Sequence, residues 1–469
     1  MSGIAGIVSR NDCKTDLFYS IDYHSHLGTS FGGIAISDGA KVEKKIHNLT
    51  KAQFKSCFFE DVEYAHMSGN RGIGVISDRD TQPLIMRLKF GEYAMCGAGY
   101  INNQNELAEK LIDEGVVFSE MVNGNVNQIE LAAKLINKGK TLAHGIEHLH
   151  DQIDGSISLL LLGKEGLYAA RDRYGRSPLV LAEKDDTIIV VSETCSYKNL
   201  GYKTKKFLGP GEIALISDNN IEQIRKPNDI LQLCTFLYVY AGFPASEYEG
   251  MNVEEFRESS GRIMARRDSV KADLVCGVAD SGTAYAHGYS HESGIPVKIP
   301  LLKYTPGWSR SYVPPFQETR DLVARMKQVT ADNLIKDQRM VVTEDSIVRG
   351  TQLKNYLIVK LWNAGARELH IRPACPALMF PCKYLYSTRQ LDELFARRII
   401  KGIHGKHIDT VDAYIDVESG EYKKMIGLME KELNVTSLRF QRLDDMLSAT
   451  GLPKESLCTY CWTGKETAK

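Results

Sequence analysis

The stretch Met340-Val341-Val342-Thr343-Glu344-Asp345-Ser346-Ile347-Val348-Arg349-Gly350-Thr351-Gln352-Leu353 decides how the chain is read. Met340 to Val342 is an apolar, β-branched run that predicts a strand. It leads into two adjacent carboxylates, Glu344 and Asp345, then a Ser/Gly/Thr turn, then a helical pattern from Gln352 through Leu361, Trp362 and Ala364. In such an arrangement the N–H groups of the loop and the positive end of the helix hold a phosphate, with the Ser346 and Thr351 hydroxyls as extra donors. The two carboxylates stand one step away, placed to grip sugar hydroxyls directly or through a hydrated Mg²⁺. A 5-phosphorylated ribose with a magnesium-bound diphosphate fits this spacing. The same letters also suit an ordinary strand-to-helix turn capped by Asp345 or Ser346.

As a whole the string resembles the phosphoribosyl diphosphate (PRPP) motif of type I phosphoribosyltransferases. It is most similar to that of the glutamine PRPP amidotransferase family, usually Asp-Asp-Ser-Ile-Val-Arg-Gly-Thr. Glu344 stands in the place of the first Asp, and a Glu-Asp pair serves in other members of the wider transferase family. The resemblance implies that Glu344 and Asp345 hold ribose and magnesium, and that Ser346, Ile347, Val348, Arg349, Gly350 and Thr351 form the 5-phosphate loop.

Upstream, the strand predicted over Ala272–Val278 ends in Val278-Ala279-Asp280-Ser281-Gly282-Thr283, which resembles the family's Pro-Asp-Ser-Gly turn. The resemblance implies that Asp280, Ser281 and Gly282 receive the diphosphate, with Ser281 near the metal. A Gly-containing βα turn is by itself only a βα turn. Here it is followed in the family's order by His287-Gly288-Tyr289 and Ser293-Gly294-Ile295-Pro296. Leu301-Leu302-Lys303 to Arg310-Ser311-Tyr312-Val313 lies where the family has a mobile loop that closes over PRPP and excludes water. Lys303 and Arg310 remain as candidate catalytic contacts to the diphosphate, whereas Tyr304 to Ser309 depart from the family pattern. A helix is expected over Glu318–Lys327.

Residues 1–225 read as short strands with two helices, Asn105–Glu114 and Gln128–Gly139. The strands are Ile4–Val8, Gly32–Ser37, Glu92–Cys96, Ile157–Leu162, Gly166–Ala170, Leu179–Leu181 and Thr187–Ser192. The start, Met1-Ser2-Gly3-Ile4-Ala5-Gly6-Ile7-Val8, resembles that of class II glutamine amidotransferases, Met-Cys-Gly-Ile-x-Gly-Ile. Asp154-Gly155-Ser156, Gly166 to Asp172, Arg176 to Leu179, Ser192-Glu193-Thr194-Cys195 and Pro210-Gly211-Glu212 follow in that family's order. The resemblance implies an N-terminal-nucleophile fold, an α-β-β-α sandwich, with Ser2 at the position of the nucleophilic Cys. Three further positions depart from the family. Ala98 stands where an oxyanion-hole Asn donates, a loss that typically costs about a hundred- to a thousandfold in rate. The His-x-Arg-Tyr segment is shortened to Gly74-Val75-Ile76-Ser77-Asp78, with Arg79 beyond it, and the Asp that binds the glutamine ammonium falls at Gln128. The expectation is a glutaminase centre that has decayed.

With 469 residues and 43 % hydrophobic content the chain has room for two or three ordinary cores. A net charge of −1 gives no field for nucleic acid or an anionic membrane. Neither a signal-type segment nor an apolar run of spanning length occurs, so a cytoplasmic protein is expected. In that compartment the ten cysteines read as thiols or metal ligands. Cys458-Thr459-Tyr460-Cys461 is a C-x₂-C pair compatible with structural zinc, a redox pair or neither. Cluster-bearing members of the family place one ligand before a Tyr-x-Tyr strand, one in a Pro-Cys-x-Tyr turn and two in a terminal Cys-x-x-Cys. Cys234, Cys382, Cys458 and Cys461 match those positions, so the resemblance implies a [4Fe–4S] cluster, although four thiolates also suit tetrahedral zinc. Cys195, Cys276 and Cys375 read as buried apolar residues.

The expectation is two domains: 1–225, a class II glutamine amidotransferase-like domain, and 226–469, a type I phosphoribosyltransferase domain with a doubly wound parallel sheet. The implied function is transfer of an amine, ammonia or another, to C1 of PRPP with release of diphosphate, as in the first step of purine biosynthesis. The resemblance also implies Mg²⁺ as cofactor, nucleotides as candidate effectors, and a homo-oligomer, dimer or tetramer. The alternative is a non-catalytic PRPP- or nucleotide-sensing paralogue acting through a protein partner.

Overall fold

The structure, a computed structural model, describes residues 2–466 apart from 123, 219, 305–325, 327 and 386. Arg310, positions 305–309 and most of the helix expected over 318–327 lie outside the described residues. The chain forms two compact units. One comprises Met1–Cys234, Ala245–Gly250 and Lys383–Ser387, and the other Thr235–Pro244, Met251–Cys382 and Thr388–Lys469.

The first unit is built on two antiparallel sheets. Gly3–Val8 lies inside a seven-stranded sheet, between Thr187–Val191 and Arg71–Ser77. Gly155–Gly163 lies inside a six-stranded sheet, between Gly91–Ile101 and Gly166–Ala170. Period-2 alternation sends successive side chains to opposite faces, and here both faces are covered. Ile4 and Val8 meet Leu160 and Leu162 in one core, while Ala5 and Ile7 pack with Leu17, Phe18 and Ile21 of helix Lys14–Asp22 in another. Leu159 and Leu161 face a third core with Ile129 and Leu135 of helix Gln128–Ile136. That accounts for an uninterrupted Leu run and gives the helix–sheet–sheet–helix layering expected. Strand Gly91–Ile101 is longer than the expected Glu92–Cys96 and carries Ala98 within it.

The second unit has a four-stranded parallel sheet in the order Leu274–Gly277, Arg339–Glu344, Glu368–Pro373, Ser437–Leu438. Leu274, Cys276, Met340, Val342, Leu369 and Ile371 face one core, shared with Leu353, Leu357, Leu361, Phe395, Ile400, Met425 and Met429. Helix Thr283–Ser293 packs on strands Leu274–Gly277 and Arg339–Glu344. The helix after the acid pair opens as a π-wound segment, Leu353–Ile358, and continues as Val359–Asn363. Such winding is frequent beside functional sites. No helix among the described residues is long and apolar enough to cross a membrane.

Candidate functional site

In the second unit the sheet delivers two loops to one place. Leu274 pairs with Met340 and Gly277 with Thr343, so the parallel strands end together. The loop after the first is bolted to the end of the second: Val278 N–H donates to the Thr343 carbonyl (2.9 Å) and the Thr343 hydroxyl to the Gly282 carbonyl (2.8 Å). Gly282 has no room for a side chain, since a Cβ there would lie 2.3 Å from the Thr343 carbonyl oxygen. The Ser281 hydroxyl donates to Glu344 Oε1 at 3.1 Å, the Asp345 N–H to the same oxygen at 3.2 Å, and the Ser346 hydroxyl to Asp345 Oδ1 at 2.6 Å. Ser281, Glu344, Asp345 and Ser346, from two loops distant in sequence, thus meet, with Asp280 and Gly282 beside Ser281 in the first loop.

The electrostatics of the pair follow from its position. Asp345 is buried, and among the described residues no cationic side chain pairs with either acid. Burial, then the charge of Asp345, hold the Glu344 carboxyl well above the usual carboxylate range. Two acids competing for ionisation in one place are a ready seat for a cation. Lys303 sets its ammonium 2.5 Å from Asp280 Oδ2. Helix Thr283–Ser293 starts directly behind this loop, its N-terminal N–H groups toward it.

The loop 346–351 has one inward and several outward residues. Ile347 is buried in the core and anchors it, so any ligand contact at this position is through the backbone. The Val348 carbonyl accepts from Phe395 N–H (2.7 Å), and the Arg349 carbonyl from Arg398 Nη2 (3.0 Å). The Arg349 guanidinium is paired with Glu393. Gly350 sits at φ +72°, in the left-handed region, with the Phe395 ring 3.1 Å from where its Cβ would be.

In the first unit, Ser2 stands just ahead of strand Gly3–Val8, its hydroxyl 3.5 Å from that of Ser77. Residues Gly74 to Ser77, expected as a shortened substrate segment, are the end of strand Arg71–Ser77, and Asp78 is used to hold Thr29 N–H (2.7 Å). Arg79 is engaged within the unit: it donates to Gln104 Oε1 and lies over the Tyr100 ring at 4.8 Å. The Gly97 N–H donates to Gln82 Oε1 (2.8 Å), and Ala98 has no side-chain amide to donate.

One residue there was not foreseen. Asp80 is buried, and its Oδ1 lies 3.5 Å from the N–H of Gln128, with its Oδ2 3.8 Å from Arg79 Nε. A carboxylate is therefore present at the position where the sequence reading found only Gln128, supplied by another loop. Burial pushes it up to about 6, against the pull of Arg79 and of the Gln128 N–H. Asp80 Oδ2 and Gln128 Oε1 are buried acceptors with no hydrogen-bond donor among the described residues. An acid in a surface-type sequence, Arg79-Asp80-Thr81, gives no local sign that it will be buried against a helix start.

Glu193 of the Ser-Glu-Thr-Cys segment is a buried hub. Its carboxylate takes the Tyr248 hydroxyl, the Ser246 hydroxyl (3.4 Å) and His26 Nε2 (2.8 Å). Burial opposes its ionisation, but His26 and its other donors hold it down at about 2.

Cys195, Cys276 and Cys375 are buried, as expected, while Cys234, Cys382, Cys458 and Cys461 are half-buried. Among the described residues no group of three or more His, Cys, Asp or Glu side chains is disposed to hold a metal ion.

Residues 70–198 match the family model of a glutamine amidotransferase domain. The amidophosphoribosyltransferase of Methanothermobacter thermautotrophicus is 30 % identical over 98 % of this chain and 93 % of its own length. The chain belongs to the amidophosphoribosyltransferase family. The Methanocaldococcus jannaschii amidophosphoribosyltransferase is similar at 29 % identity, over 99 % of this chain and 97 % of its own. Among solved structures, glutamine PRPP amidotransferase from B. subtilis complexed with ADP and GMP superposes with a TM-score of 0.83 at 26 % identity, covering 99 % of this chain and 96 % of that one. Amidophosphoribosyltransferase membership makes the chain a phosphoribosyltransferase-type enzyme, with an N-terminal-nucleophile domain followed by a type I phosphoribosyltransferase domain.

Proposed function

We propose that the chain joins ammonia to C1 of PRPP with release of diphosphate, and that its first unit no longer hydrolyses glutamine. The observation that carries the transferase reading is the convergence of Ser281 on Glu344 and Asp345 beside the 346–351 loop. In this reading the loop N–H groups take the 5-phosphate. Glu344 and Asp345 orient the ribose hydroxyls, and Asp280 to Gly282, with the start of helix Thr283–Ser293, face the diphosphate. Lys303 leaves Asp280 for the departing diphosphate, whose charge grows as the C1–O bond breaks. Ammonia closes the C1–N bond and sheds a proton to solvent. Arg310, from the segment outside the described residues, is carried forward as a second cation for the leaving group.

The acid pair fits magnesium. Its donors are all oxygen, and the raised Glu344 carboxyl marks negative charge with no paired cation among the described residues. When bound, the ion supplies neutralisation of the diphosphate. For the [4Fe–4S] cluster, with zinc as the alternative, backbone neighbourhood gives the support. Met379 and Phe380 N–H both donate to the Cys461 carbonyl (2.9 and 3.0 Å), next to Pro381-Cys382, and the Thr235 hydroxyl donates to the Cys458 carbonyl (2.9 Å). Among the described residues no group of three or more His, Cys, Asp or Glu side chains is disposed to hold a metal ion, and no step is assigned to a cluster. Iron content and visible absorbance of anaerobically purified protein test it.

Loss of the glutaminase rests on Ser2 in place of a thiol, on Ala98 in place of an amide donor, and on Arg79 tied to Gln104. The match to a glutamine amidotransferase domain lends that loss no support, and Asp80 argues that part of an amino-group clamp survives. Purine nucleotides as effectors, a homo-oligomer and a cytoplasmic setting belong to the same reading. The test is to incubate the purified chain with PRPP, Mg²⁺ and either glutamine or an ammonium salt, assaying diphosphate and glutamate. Diphosphate with ammonium and no glutamate with glutamine is expected. Glutamate release overturns the lost glutaminase. No diphosphate from either donor, with PRPP still bound, favours a PRPP or nucleotide sensor acting through a protein partner.

A further inference from the structure

The segment Gln390–Arg398 touches the 346–351 loop at four points. The Phe395 N–H donates to the Val348 carbonyl (2.7 Å) and Arg398 Nη2 to the Arg349 carbonyl (3.0 Å). Glu393 pairs with the Arg349 guanidinium, and the Phe395 ring fills the space beside Gly350. Glu393 is itself fixed beforehand, because its Oε2 accepts the N–H groups of Arg389 (2.7 Å) and Gln390 (3.2 Å).

In a trans peptide the C=O of one residue and the N–H of the next point in opposite directions. Tying the Val348 and Arg349 carbonyls to one side therefore turns the N–H groups of Arg349 and Gly350 to the other. The Gly350 carbonyl is taken by Lys354 N–H (2.9 Å), which aims the Thr351 N–H back out of the helix start. Three consecutive N–H groups are thus presented on the face away from Gln390–Arg398, as an anion nest requires. Meanwhile Glu393 draws the one cation of the loop off that face.

Resting on the reading of 346–351 as the 5-phosphate loop, we propose that Gln390–Arg398 is the strap that shapes this loop, with Glu393 and Arg398 as its positioning residues. Neither touches the ligand. Both act by fixing which way the loop peptides face.

The test is titration calorimetry, with Mg²⁺, of wild type, Arg398→Ala, Arg398→Lys and Glu393→Gln, using ribose 5-phosphate, inorganic diphosphate and PRPP as separate probes. Arg398→Ala is expected to weaken ribose 5-phosphate and PRPP about tenfold, the worth of one charge-assisted hydrogen bond, and to leave diphosphate unchanged. Arg398→Lys restores part of the loss, and Glu393→Gln, a milder change that spares the fold, weakens the same two probes. Unchanged ribose 5-phosphate affinity in both Arg398→Ala and Glu393→Gln overturns the strap. Equal weakening of all three probes overturns it as well, since that marks general loosening. Wild type binding diphosphate but neither sugar phosphate overturns the loop assignment itself, and the strap with it.

Discussion

Asp80→Asn should make the first unit more stable, and by an amount that depends on pH. An ordinary aspartate titrates near 3.9, whereas the buried Asp80 is pushed up to about 6. Between those values the folded chain binds more protons than the unfolded one, so stability falls as pH rises through the window and stays lower above it. A separation of about two pH units corresponds to about 3 kcal/mol at about pH 7.5, shrinking to about 1 kcal/mol at about pH 4.5, where the folded acid is almost wholly protonated and the unfolded one is nearing its own pKa. Asparagine keeps the shape and can still accept from the Gln128 N–H, so the variant sheds the cost of ionising a buried acid while losing only its attraction to Arg79 at 3.8 Å. Urea denaturation of wild type and variant at the two pH values, following the first unit, reads the difference directly. A variant less stable than wild type at the higher pH, or a gain that does not shrink on acidification, would refute the reasoning. A gain would also explain why the acid is kept: a residue that lowers stability is retained for what it binds.

Gly282→Ala should cost about 1–3 kcal/mol and most of the affinity for inorganic diphosphate, because the new Cβ meets the Thr343 carbonyl at 2.3 Å; thermal melting and calorimetry report both. Glu193→Gln should destabilise the first unit by about 3 kcal/mol at neutral pH, by leaving buried donors of Tyr248 and Ser246 poorly matched. Because Glu193 is held down at about 2, the gap between wild type and variant should close as pH falls from the ordinary glutamate range toward that value, as melts across the acid range would show. Because the Glu344 carboxyl is held high, Mg²⁺ binding to the acid pair should release protons and tighten as pH rises; heats of binding that do not vary with buffer ionisation enthalpy would contradict this.

The transferase half was legible where its chemistry is written in consecutive residues. Glu344 to Thr351 needs only a strand before it and a helix after it, and both are coded locally by Met340 to Val342 and by the spacing of Leu353, Leu357 and Leu361. The apolar run Ile157–Leu162 was legible as a strand, though its burial on both faces, against two different cores, was not. What escaped was tertiary. The edge strand Val42–Asn48 carries Glu43, Lys44 and Lys45 and reads as a loop, since an edge needs only one partner. Helix Lys14–Asp22 is too short for its periodicity to stand out. Asp80 owes its character to burial against Gln128, and Glu393 and Arg398 act on backbone carbonyls, which any sequence possesses.

The hydrogen bond from Ser281 to Glu344 carries a consequence for ligand choice. Glutamate, one methylene longer than the aspartate usual at that position, reaches across to the neighbouring loop and closes a clasp there. In the proposed function a cation seated on the acid pair would have to share or displace that oxygen, so a divalent ion arriving with its sugar phosphate, and making many contacts at once, would compete with the Ser281 hydroxyl better than a weakly held ion.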